Sequence, residues 1–93
     1  MKTARYFLNV YAGGNHLINN VPLSEKDYNK QVNDLVHDPF IAAPDVVTAM
    51  FFNHTHTVHR FVEAGAMVKF VKLECKPGFY FYHDEIREVI PRA

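Results

Sequence analysis

FFNHTHTVHRFV, residues 51–62, is answered without a gap by FYFYHDEIREVI, residues 79–90. Each copy runs from an aromatic pair through a polar, histidine-containing middle to a β-branched residue, two polar residues and two apolar ones. Side chains alternate between faces only while a chain stays extended, so the pattern reads as a strand entering a polar bend and leaving as a second strand. Written twice, it predicts an antiparallel sheet built from short strands.

The flanking sequence extends that reading. ARYFLNVYA (4–12) is rich in aromatic and β-branched residues and stops at Gly13-Gly14-Asn15, a turn signal, before HLINNV (16–21). A β-hairpin therefore opens the chain. One helix follows over 24–37. Ser24 is a good N-cap, Asp27 stands at N3, and Leu23 and Tyr28 are spaced for a hydrophobic staple. Tyr28, Val32, Leu35 and Val36 form one apolar stripe, and Pro39 ends the helix. A one-sided helix must lie on something apolar, and a sheet is what this chain offers. VVTAMFF (46–52) is apolar on both faces. Val58 to Val62 reads extended, Glu63-Ala64-Gly65-Ala66 reads as a hairpin connection into MVKFVKLEC, and Lys76-Pro77-Gly78 reads as a turn. The expected fold is α+β: a small antiparallel, curved sheet or partly open barrel of six or seven short strands with one amphipathic helix. Residues 1–93 read as a single compact domain.

Ten basic residues balance ten acidic ones, and the basic ones are scattered. Affinity for a phosphate backbone draws on clustered cations, so nucleic acid is not an expected partner. Cys75 is alone, which excludes an internal disulfide and fits a reducing compartment. The first residues lack a continuous apolar core of the signal-peptide kind, and no stretch approaches the length of a membrane span. The expected location is cytoplasmic, with no membrane partner.

The residues able to carry chemistry are histidines. In an extended strand His54 and His56 point to one side about 7 Å apart, and His83 sits at the equivalent bend of the second copy. Together they are the candidate metal ligands, with zinc the metal that imidazoles at such spacing suit and Asp84 or Glu85 as an oxygen donor. His59 and Arg60 extend the set toward the acid–base chemistry of small ribonucleases. Against both readings, no CxxC or HExxH framework accompanies the histidines and no basic groove accompanies Arg60. The sequence therefore implies no cofactor and no catalytic residue.

Surface is the remaining candidate. In FYFY (79–82), Phe79 and Phe81 share one face while Tyr80 and Tyr82 share the other. A domain this small has trouble burying five tyrosines and eight phenylalanines, and tyrosine is enriched at interfaces. Tyr80, Tyr82, Phe70 and Met67 are accordingly the candidate interface residues. The size, single cysteine, neutral charge and aromatic strands are similar in type to those of many small accessory proteins of bacteriophages and prophages. The sequence reads as a small non-catalytic protein-binding or self-assembling module, expected to form a homo-oligomer. The alternatives are a metal- or small-ligand-binding protein using the histidine cluster, and a small nucleic-acid-processing or regulatory protein.

Overall fold

A computed structural model of the chain describes residues 3–81 and the backbone of 89–91. The opening hairpin is β1 (Ala4–Ala12) and β2 (Asn15–Leu23), joined through Gly13 and Gly14 at φ 56° and 79°. Positive φ at both central residues matches the twist of the flanking strands. Helix α1 (Glu25–Val36) follows, then β3 (Asp45–Met50), β4 (His54–Glu63) and β5 (Ala66–Cys75). The β4–β5 turn repeats the geometry of the first, with Ala64 at φ 42° and Gly65 at φ 80°. These five strands form one antiparallel sheet in the order β2-β1-β5-β4-β3. It is open, with β2 and β3 as its edges. The short strands β6 (Phe79–Phe81) and β7 (Val89–Pro91) pair with each other, apart from the main sheet.

The helix begins where its cap predicts. Ser24 Oγ accepts from the Asp27 N–H at 3.1 Å, and Pro39 stands beyond its end. The helix lies on one face of the sheet. There Tyr28, Phe61 and Phe70 are buried, with Tyr6, Leu8, Leu23, Val32, Leu35, Ile41 and Val68 packed around them. Leu23 thus joins the cluster around Tyr28, as a staple would. Val36 departs from the expected stripe and is half exposed, because it falls where the helix has run past its apolar support.

The other face carries a second, smaller cluster: Phe7, Leu73, Cys75 and Phe81, with Val71 and Phe79 against it. Here the main sheet is covered by β6 and not by a helix. Lys76-Pro77-Gly78 makes the turn that brings β6 there: Lys76 C=O accepts from the Phe79 N–H at 3.0 Å, and Gly78 takes φ 89°. Proline followed by a positive-φ glycine is the pairing a type II turn requires.

The internal repeat does not fold into two equal halves. In the second copy the aromatic residues 79–81 lie inside β6. In the first, Phe51, Phe52 and Asn53 form the turn itself, closed by the Phe51 N–H donating to His54 C=O at 2.8 Å. The expected polar bend over His54 to Thr57 is therefore strand. Ten residues of β4 run unbroken beside β5, and ladder bonds on both sides hold polar residues extended despite their turn propensity.

Candidate functional site

Register decides what each surface carries. Residues directly opposed across an antiparallel ladder share a face. On the helix-free face one polar row runs Asp45, Arg60, Lys69, Asn9 across β3, β4, β5 and β1. The next row, Val47, Val58, Val71, Phe7, is apolar. Beyond it come Ala49, His56, Leu73 and Arg5, and then His54 opposite Cys75.

Of these rows Asn9, Lys69, Phe7, Val58, Val71, His56, Leu73 and His54 floor a cleft of about 590 Å³, to which β1, β2 and the β3–β4 turn add Tyr11, His16, Asn19, Asn20 and Phe51, while no residue of β3 lines it. Asn9 is the polar anchor of the cleft and is 5% exposed. Its Oδ1 accepts from the Asn20 backbone N–H at 2.9 Å and from His16 Nε2 at 3.0 Å, while its Nδ2 donates to Asn20 Oδ1 at 3.1 Å. These bonds hold Asn20 at φ 48°, beside the irregular register of the β1–β2 ladder. His16 stacks on Tyr11 with centroids 4.2 Å apart, and Lys69 Nζ lies 5.1 Å from the Tyr11 ring centre. At the far end His54 stacks on Phe51 at 4.7 Å and donates from Nδ1 to Asn53 Oδ1 at 2.7 Å.

The sheet divides the histidines that the sequence places together. His54 and His56 line the cleft. His59, at an odd offset from them, emerges on the helix side, where its Nδ1 lies 3.2 Å from Tyr28 Oη. Burial, and then the charge of Lys72, hold its imidazole below the usual range. Arg60 is committed to an ion pair with Asp45. An acid–base set that combined His54, His56, His59 and Arg60 is thus split between two faces. Among the described residues no three His, Cys, Asp or Glu side chains come together as a metal site. His83, the third expected ligand, lies outside the described residues, as do Asp84 and Glu85.

The interface candidates also separate. Phe70 is 2% exposed, at the centre of the helix-side core. Its even position on β5 faces the helix, so it is core and not surface. Met67 and Tyr80 are half-buried, and Tyr82 lies outside the described residues. Phe79 and Phe81 do enter the core side by side. Cys75 is buried beside them, and burial pushes its thiol upward.

The exposed apolar surface is elsewhere. β3 is an edge strand, paired to β4 alone. Val46 and Val47, on its opposite faces, are 55% and 64% exposed, and Met50 is 73% exposed. Phe52 in the following turn and Phe40 before the strand are also exposed, Phe52 with its ring edge-on to Phe79 at 5.5 Å. Asp45 is the only charged residue of the strand, and it is paired with Arg60. The signal for this edge was visible: VVTAMFF is apolar on both faces, as either a doubly covered strand or an uncovered interface requires. Asn9, a polar amide between Phe7 and Tyr11 on one face of β1, was the corresponding signal for the cleft.

Among the described residues no helix is long and apolar enough to cross a membrane. Compared with known proteins, the chain matches no family model, no curated sequence and no solved structure.

Proposed function

We propose that this chain is a non-catalytic, self-assembling protein-binding module whose contact is the free edge of β3, and that its occupant is a second copy. The observation that carries the proposal is an edge strand whose outward row of N–H and C=O groups is flanked by exposed Val46, Val47 and Met50. Such an edge is a ready template for another strand, and soluble proteins usually blunt it with lysine, proline or a bulge. β3 (DVVTAM) has none of these within it.

A second copy fits for two reasons. Antiparallel pairing of identical edges about a two-fold axis is self-complementary, so every donor on one strand meets an acceptor on its twin. The chain also carries formal net charge +0, so two copies approach without mutual repulsion. In this reading the sheet curls toward its helix-free face, as a partly open barrel does, a shape supported by one cleft that is lined from β2 across to Phe51 of the β3–β4 turn. Pairing through β3 then joins two curved sheets into one continuous sheet.

Sedimentation at about 10–100 µM, the regime of a modest interface, tests the proposal. The expected result is a dimer that Val47→Lys converts to monomer, because a charge on each of two facing edges repels and is costly to desolvate. Val62→Lys, at a comparably exposed valine on an interior strand, should leave association intact. A monomeric wild type, or a Val47→Lys protein that dimerises as well as the wild type, overturns the proposal.

A further inference from the structure

The cleft on the helix-free face is separate from the β3 edge, and its chemistry points to a ligand of its own. Its volume of about 590 Å³ lies in the range of small-molecule sites. Among the described residues that line it, Lys69 is the one fixed charge and no carboxylate is present. Lys69 directly opposes Arg60 across the β4–β5 ladder. Like charges so placed repel, and Asp45 answers Arg60 alone. Lys69 forms no ion pair with a described residue; its ammonium rests over the Tyr11 ring, 5.1 Å from the centroid. The polar side chain nearest to it in register, Asn9, is already committed to Asn20 and His16. Among the described residues the cleft thus holds a cation at one end without a matching anion.

The shape beyond Lys69 is set by register. Toward the far end the floor is Val71, Val58 and Phe7, then Leu73. Lys69 to Leu73 is four strand residues, about 13 Å. Phe51, stacked on His54, forms an aromatic wall at the far end. This is an elongated floor, apolar through its middle, with a cation at its head and the imidazoles of His56 and His54 toward its far end.

We propose that the cleft binds a linear organic monoanion with an extended apolar body: a medium-chain carboxylate whose head meets Lys69 and whose chain lies along Phe7, Val58, Val71 and Leu73. The head gains a charge-assisted hydrogen bond. The chain removes apolar surface from water chiefly at the half-buried Val58 and Val71, above Phe7 and Leu73, which are already packed with Phe81.

Decanoate, used below its micellar concentration, is the probe. Calorimetry should show binding, and NMR should place the perturbed methyl groups on Val58, Val71 and Leu73. Hexanoate should bind about tenfold more weakly, since four methylenes are lost from a half-open groove. Lys69→Gln should weaken decanoate about tenfold and Lys69→Arg should retain it, with the melting temperature of each variant reported alongside. On the wild-type protein alone, decanol and decyltrimethylammonium should both bind more weakly than decanoate. The proposal is overturned if either binds as well, if decanoate shows no binding up to the highest monomeric concentration, or if the shifts fall on Val47 and Met50 of the β3 edge. Val46→Lys, on the face of β3 turned away from the cleft, should impair association by the same edge argument and leave decanoate binding unchanged, so this test and the association test fail independently.

Discussion

At the scale of single residues, the sheet assigns neighbouring side chains to unlike tasks. His56 and His59 are close in sequence, yet one lines a solvent-facing cleft and the other sits under the helix against Tyr28. The Tyr28–His59 contact couples stability to pH. Burial holds His59 below its usual range, and burial with the neighbouring Tyr6 pushes the Tyr28 hydroxyl up to about 12. Folded His59 is therefore neutral at pH values where the unfolded chain, with a histidine near the ordinary value of about 6.5, has begun to bind a proton. Below that pH the unfolded state holds more protons, so stability is full above about 6.5 and falls as pH drops toward the folded value. Urea unfolding at about pH 7.5 and pH 5 checks this. Wild type should lose more stability between the two than His59→Gln, which keeps a partner for Tyr28 but cannot titrate. Equal losses would mean that His59 is charged in the fold. His54, His56 and Asn9 show the limit of reading residues singly: their types were legible, while their shared cleft depended on register.

At the scale of elements, the helix is anchored more at its start than at its end. Ser24 caps it, and Tyr28 in the second turn is 5% exposed, with its ring 4.7 Å from that of Tyr6. Val32 and Leu35 pack around that cluster half-buried, and Val36 faces out. A graded series of truncations should follow. Tyr28→Ala should cost about 3–5 kcal/mol, Leu35→Ala about 1–2 kcal/mol because its burial is partial, and Val36→Ala about half a kcal/mol or less. Chemical denaturation of the three variants measures the order. A Val36→Ala loss as large as that of Leu35→Ala would place the helix differently on the sheet. The helix limits, the two glycine-containing hairpin turns and the Pro-Gly turn were legible because each depends on the φ preference of a few adjacent residues. The repeat was misleading for the same reason: where both copies are described, equal local patterns fold unequally, residues 51–53 as a turn and residues 79–81 as strand β6.

At the scale of the whole molecule, the described residues form an open sheet with helix on one side, β6 on part of the other, and two edges, of which β3 exposes Val46, Val47 and Met50. A chain of 93 residues buries a limited share of its surface, so an added strand contact would be a large fraction of its stability. If copies associate through β3, the melting temperature must rise with protein concentration by mass action. Calorimetry over about a hundredfold range of concentration should show that rise in wild type and a flat line in Val47→Lys. A concentration-independent wild type would separate folding from assembly.

The sequence by itself determined what depends on near neighbours: an α+β chain with one helix, the limits of that helix, its tight turns, and an excess of apolar side chains over what so small a core encloses; it did not show that β1, β2, β4 and β5 run nine or ten residues each. The tertiary structure alone decided which strands are edges, which face the helix covers, and so which apolar residues are core and which are surface. The physical reason is that alternation has a period of two on either face. Phe70 and Met67 both read as apolar strand residues, and only the placement of the helix makes the first the most buried side chain of the core. Val47 reads as a core residue beside Val58, and only its place on an unpaired edge leaves it exposed. Strand partners are chosen by contacts distant along the chain, and local residue patterns carry little information about them.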